Sequence, residues 1–151
     1  MPVRRFKEYL DDHGVHYEVL EHPVAYTAQE VAQRTHVPGQ HFAKTVAIRI
    51  GDRLALAVLP ATDRIDTERL AQSVGETSVR LASEGEFSAH FPGCETGAMP
   101  PFGNLYDMEV FVSPHLAQAE EIVVNAGTHT EAVRLPYSAF ARLVKPVEVH
   151  M

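Results

Sequence analysis

The stretch Gly93-Cys-Glu-Thr-Gly-Ala-Met-Pro-Pro-Phe-Gly103 carries residue types suited to holding a reacting carbonyl. Its glycines and Pro-Pro pair, among few charges, suit neither a helix nor a regular strand. Gly97, Ala98 and Met99 bring backbone N–H groups, whereas Pro100 and Pro101 bring none and fix φ. The residue before each proline is pushed toward extended geometry. Such a loop can aim a few N–H donors in one direction, as an oxyanion or carbonyl site requires. The plainer reading is a tight surface turn.

Two further positions have the chemistry for a site. Lys44, at the start of an apolar run, offers a point charge to an anionic or carbonyl group. Its plainer reading is a strand-end lysine whose stem covers apolar neighbours while the ammonium reaches water. Asn125-Ala-Gly-Thr-His129 reads as a turn that presents a histidine, with Gly127 at a position suited to positive φ. There the plainer reading is a hairpin turn capped by His129. His90 and Cys94 are four apart and His13 and His16 three apart, but no further Cys or paired His completes a zinc set. Cys94 has no evident base to activate it as a nucleophile. No nucleophile elbow, Walker loop or dinucleotide fingerprint occurs.

These residues need elements to position them. Phe6, Tyr9 and Leu10 predict an amphipathic first helix ending near Gly14, and Val15, Tyr17 and Val19 alternate as a short strand. Thr27-Ala-Gln-Glu30 is a capping box that opens a helix to about Thr35, before Val37-Pro38-Gly39 breaks it. The runs Ala43 to Ile50 and Arg53 to Leu59 flank Gly51-Asp52 as a hairpin. Lys44 then shares a face with Val46, Ile48 and Ile50. The second run is apolar on both faces and should be central in a sheet.

Further along, Asp66 caps a helix closed by Gly75, with Ile65 and Leu70 as its staple. Val79 and Leu81 predict a strand, and Ser83-Glu-Gly-Glu86 a second capping box whose helix carries Phe87 and Phe91. Glu109 to Val112, Glu121 to Asn125 and Thr130 to Leu135 read as strands, and Tyr137 to Val144 as a last short helix. The class is α+β: a mixed, curved, largely antiparallel sheet with helices packed around it.

The bulk composition narrows the partners. With 151 residues and 45% apolar content, one domain with a real core is expected, and no window is a membrane span. The first ten residues have no apolar core behind Arg4, Arg5 and Lys7, so no signal peptide is visible. A single cysteine fits a reducing cytoplasm. The net charge of −7 argues against a protein that coats many phosphates, though not against one that grips the end of a nucleic acid. Arg4, Arg5, Lys7, Lys44, Arg49 and Arg53 are the cations available for such a patch, or are ordinary solvated charge.

Ala43-Lys44-Thr45-Val46, then Gly97-Ala-Met-Pro-Pro-Phe-Gly103, then Asn125-Ala-Gly-Thr-His129 occur in a fixed order over nearly the whole chain. That order resembles the YbaK/EbsC family, which is similar to the editing (insertion) domain of prolyl-tRNA synthetase. The resemblance implies one freestanding editing domain over residues 1–151. Its reaction would be hydrolysis of the ester joining a wrong, small amino acid of the Ala, Ser, Thr or Cys class to the 3′ end of a tRNA. Lys44 would hold the terminal adenosine region. Gly97, Ala98 and Met99 would orient the ester carbonyl by their amides. Thr45, Pro100, Pro101, Phe102, Asn125, Gly127 and His129 would contact the substrate, His129 lining the amino-acid pocket with Met99 and Phe102 as walls.

The resemblance also implies that the tRNA's own ribose hydroxyl helps with the water, and that no metal or organic cofactor is required. Its partners would be a tRNA acceptor end and possibly a synthetase. Two alternatives keep these residues: a non-catalytic adaptor for aminoacyl-tRNA or a synthetase, and a hydrolase of small aminoacyl esters without nucleic acid. Turnover by the purified protein and the salt dependence of binding separate the three.

Overall fold

A computed structural model describes residues 3–151. Met1 and Pro2 of the expected domain lie outside the described residues. The chain runs α1 (Val3–Asp12), β1 (Glu18–Glu21), α2 (Ala28–Arg34), β2 (Ala43–Ile50), β3 (Arg53–Pro60), α3 (Thr67–Val74) and β4 (Val79–Leu81). It continues with α4 (Glu84–Phe87), β5 (Glu109–Val112), α5 (Pro114–Ala117), β6 (Glu121–Asn125), β7 (Glu131–Pro136), α6 (Tyr137–Val144) and β8 (Val147–Glu148). The fold is α+β, as the alternation of elements predicts.

Local signals explain most boundaries. The Thr27 hydroxyl accepts from Glu30 N–H at 3.1 Å, and the Asp66 carboxylate from Arg69 N–H at 3.1 Å, so both helices start at their caps. The Ser83 N–H donates to the Glu86 carboxylate at 2.9 Å within the expected capping box. Gly75, at φ 73°, ends α3 in the left-handed region. The strand expected around Val15 begins instead at Glu18. Val15 N–H donates to Leu10 O and Gly14 N–H to Asp11 O, the paired bonds of a Schellman cap. Val15, buried in the same core cluster as Leu10, is the cap's hydrophobic contact and not the start of a strand.

The expected curved sheet is divided by its hydrogen bonds into two. One has the order β1-β7-β6 and is antiparallel; the other has the order β4-β2-β3-β5-β8 and is mixed. β3 is central, with Ala55, Leu56, Ala57 and Val58 fully buried, as its two apolar faces predict. The β2–β3 hairpin keeps unbroken register from Ala43↔Pro60 to Ile50↔Arg53. Among the described residues, a single parallel bridge, Phe42↔Val123, joins the sheets.

The period of two sorts side chains to opposite faces. Ile48, Ile50, Ala55, Ala57 and Phe111 pack with Leu70 of α3. Ala43, Ala47, Leu56, Val58, Val110 and Val112 face the main core, where Ile122, Val124, Val133 and Leu135 meet them from the other sheet. Phe6 and Leu10 of α1 and Phe140 of α6 join this core. The outer face of the smaller sheet, through Val123 and Ala132, is covered by Val31 and Ala32 of α2.

Candidate active site at the seam of the two sheets

The Gly/Pro segment is held by a turn at one end and an aromatic anchor at the other. Ala98 N–H donates to Glu95 O at 3.0 Å, closing a four-residue turn with Gly97 third at φ 87°. A type II turn requires that left-handed third residue, and glycine adopts it without strain. Of the three expected donors, Ala98 is therefore committed within the loop. Among the described residues, the amides of Gly97 and Met99 meet no protein acceptor.

At the other end, Phe102 is fully buried and packs edge-on against Phe6, Phe140 and Tyr9, at centroid distances of 5.0, 5.6 and 6.0 Å. This corrects its expected place as a pocket wall: the ring anchors the loop to the core. The Met99 side chain is likewise in the core, so it too is no wall. Pro100 and Pro101 are buried between these anchors and brace the chain rather than present a binding face.

The Asn125–His129 turn interlocks with this loop. Glu95 N–H donates to Gly127 O, and Gly127 N–H to Ala98 O, both at 2.8 Å. Asn125, at the end of β6 and buried, reaches Gly97 O with its side-chain amide at 3.5 Å. The His129 Cε1 stands 3.7 Å from where a Cβ on Gly97 would lie. Its Nε2 is 3.8 Å from the Glu95 carboxylate, and its ring is 4.8 Å from that of Tyr26. Gly97, Gly127, Asn125 and His129 are thus gathered in one place.

Lys44 comes from the other sheet. The Phe42↔Val123 bridge is parallel, so Lys44 and Asn125 each lie two residues beyond it in the same direction. The half-buried ammonium donates to Asp63 O at 2.6 Å and borders a cleft of about 260 Å³ with Thr27, Ala28, Gln29 and Ala61. Burial pushes its pKa below the usual lysine value; Asp63 opposes the shift and Arg64 adds to it. Among the described residues, no hydrogen bond or ion pair joins Lys44 to the Gly/Pro loop. The link is the segment between them, since Tyr26 lies on His129 and Thr27 borders the Lys44 cleft. The neighbouring Thr45 hydroxyl, on the core-facing side of β2, is buried without a hydrogen-bond partner among the described residues.

Three residues that the sequence reading did not single out frame the site, Glu95 within the Gly/Pro stretch and Asp63 and Tyr26 outside every motif. Glu95 closes the turn, Asp63 receives the lysine, and Tyr26 covers His129. Asp63 in turn accepts from His115 Nδ1 at 2.8 Å through its carboxylate. A larger depression of about 430 Å³, bordered by Arg49, Arg53, His90 and Tyr106, lies at the hairpin-turn end of β2, the end opposite Lys44. Its cations are engaged by Glu86, Glu76 and Glu109. Among the described residues, no helix is long and apolar enough to cross a membrane, and no three His, Cys, Asp or Glu side chains gather as a metal group.

This arrangement, a glycine-turn amide loop against a histidine turn with a lysine on the adjoining strand, coincides with a sequence-profile match. The profile of the aminoacyl-tRNA editing domain covers residues 22–143, and the chain belongs to that family, whose members deacylate mischarged tRNA. The chain is 26% identical over 142 residues to the prolyl-tRNA editing protein ProX of Acetoanaerobium sticklandii, covering 90% of this chain and 86% of that protein. It is 30% identical over 114 residues to the proline–tRNA ligase of Xanthomonas oryzae pv. oryzae, covering 74% of this chain and 20% of the ligase. A solved structure described as a candidate trans-editing enzyme for prolyl-tRNA synthetase superposes with a TM-score of 0.84 at 22% identity, covering 98% of this chain and 94% of that one. At that identity the likeness speaks for the fold.

Proposed function

We propose that this protein acts in trans on tRNA, hydrolysing the ester that joins a misattached small amino acid of the Ala, Ser, Thr or Cys class to the 3′ end. The ProX and proline–tRNA ligase similarities favour tRNAPro as the RNA. The observation that carries the reading is the interlock of the 95–98 turn with the 125–129 turn, which sets Gly97 beside His129 and, among the described residues, leaves the Gly97 and Met99 amides without a protein acceptor.

An aminoacyl ester is already activated, so the protein needs to polarise its carbonyl and place a water. Water adds to the carbonyl carbon, and the oxyanion accepts hydrogen bonds from the Gly97 and Met99 amides; losing one such donor costs roughly 3 to 4 kcal/mol of transition-state stabilisation. The bond from that carbon to the ribose oxygen then breaks. The ribose oxygen takes up a proton, and free amino acid and tRNA leave. Lys44 sets its ammonium against the terminal nucleotide's phosphate.

With Met99 and Phe102 in the core, selection by size falls to the His129 and Gly97 surfaces. One methylene is worth only about 1 to 3 kcal/mol in binding, so steric exclusion by this braced turn is the effective sieve. The test is a panel of purified tRNAPro charged with Ala, Ser, Thr, Cys or Pro, with and without chelator. Release of a small amino acid, sparing of proline and indifference to chelator are expected. Equal hydrolysis of every ester, or of none, would refute the reading.

A further inference from the structure

Tyr26 is unusual for its surroundings: a large aromatic side chain, 68% exposed, on the rim of the site. It belongs to an extended segment pinned on both sides. His22 N–H donates to Thr130 O at 2.9 Å and Ala25 N–H to His129 O at 3.1 Å, fastening the segment to the 125–130 turn. At its other end Thr27 is locked as the N-cap of α2. Ala25 points inward, fully buried, while Val24 and Tyr26 point out, at 50% and 68% exposure.

The phenol ring leans on His129 at 4.8 Å and 58°, which fixes one side of it and leaves the other toward solvent. Its neighbour Thr27 borders the Lys44 cleft. An exposed aromatic face, set on His129 beside the Gly/Pro loop and next to the border of the Lys44 cleft, matches what an unpaired nucleobase seeks. Single-stranded nucleic acids are held by stacking bases on such rings, with a cation taking the backbone. An acidic protein that cannot coat phosphates has particular need of this contact.

We propose that Tyr26 is the stacking platform for the terminal base of the tRNA acceptor end. The inference rests on the editing reading above and names a contact for it. With the base on Tyr26, its 3′ ester is carried toward the Gly97 loop through His129, and the terminal phosphate toward Lys44 through Thr27.

The test is binding of uncharged acceptor-stem minihelices, one ending in intact CCA and one with its last nucleotide abasic, measured by fluorescence anisotropy. The wild-type protein is expected to prefer the intact end by about 5- to 150-fold, the range for stacking one base on an aromatic ring. Tyr26→Ala should bind both RNAs equally and weakly, while Tyr26→Phe should keep the preference. Because Tyr26 is exposed, its truncation leaves the core untouched, and unchanged thermal unfolding verifies this. A base preference that survives in Tyr26→Ala, or is absent from the wild type, overturns the proposal. The RNA carries no amino acid, so the measurement is independent of hydrolysis: a Tyr26-dependent preference in a protein inactive on every charged tRNA would sustain this contact and refute the editing reading.

Discussion

The Gly127 amide donates to the Ala98 carbonyl at 2.8 Å, and this bond makes one unit of two loops that are far apart in sequence. The Glu95 amide returns a bond to Gly127 O at the same distance. Neither loop can shift without breaking a main-chain contact with the other. The Gly97 and Met99 amides proposed as carbonyl donors are therefore held in place before substrate arrives, the condition under which such donors are most effective.

Gly97→Ala tests that preorganisation. Its added Cβ would meet His129 Cε1 at an ordinary 3.7 Å, so sterics alone do not forbid it. The cost lies in φ 87°, where a residue other than glycine is strained by about 1–3 kcal/mol. The loop is expected to relax by turning its amides, with kcat for deacylation falling by about 10²-fold, as for loss of one donor. Steady-state kinetics beside thermal unfolding decide the case: lower Tm with unchanged kcat would give Gly97 a structural role only.

Lys44→Ala is expected to lower kcat/KM for a mischarged tRNA by on the order of 10²-fold or more, since a mispositioned substrate loses that much. The protein should remain folded, because the ammonium's partner is a single carbonyl at the edge of a cleft. Circular dichroism and single-turnover deacylation check both halves. Full activity would remove Lys44 from the mechanism.

The same lysine predicts a pH limit. Burial lowers its pKa, so the ammonium is lost at a lower pH than the ordinary 10.5. Affinity for uncharged acceptor-stem RNA should accordingly fall as pH rises, beginning below the range of an ordinary lysine. In Lys44→Arg, whose guanidinium stays protonated, the fall should move to higher pH. Identical profiles for the two proteins would show that the ammonium does not hold the RNA.

Phe102→Ala should act on stability and not on substrate choice. Removing a fully buried phenylalanine typically costs about 3–5 kcal/mol. Denaturant unfolding should show that loss, and Phe102→Leu a smaller one. The ratio of rates on Ala- and Pro-charged tRNA should stay constant in Phe102→Leu; a change in that ratio would return the ring to the pocket wall.

Much of this was legible in the sequence because its signals are local. Thr27 and Asp66 cap their helices, Gly51-Asp52 turns the hairpin, and the doubly apolar β3 is central. What escaped depends on tertiary context. Val15 alternates with Tyr17 and Val19 like a strand residue, yet a Schellman bond to Leu10 takes it as a helix cap. The helix at Pro114–Ala117 had a readable start in Ser113-Pro114, but it is a single turn. β8 exists only as a two-residue parallel pairing with β5, which no short-range pattern encodes. At the site, residue type marked Gly97 and His129 but could not say which way Met99 and Phe102 would face. The tight loop needs apolar anchors, and the core of Phe6 and Phe140 supplies them. Tyr26 and Asp63 belong to no motif, and Glu95 sits inside the Gly/Pro stretch without a residue type that marks it; only geometry places the three at the site.

Among the described residues, the Phe42↔Val123 bridge is the only strand pairing between the sheet that bears the lysine and the sheet whose β6–β7 turn bears the histidine. On the mechanism proposed above, neither sheet carries the full set of groups. On that mechanism competence is a property of assembly: an excised half is expected to be inactive, and heating should extinguish turnover in step with the collapse of the joint between the layers.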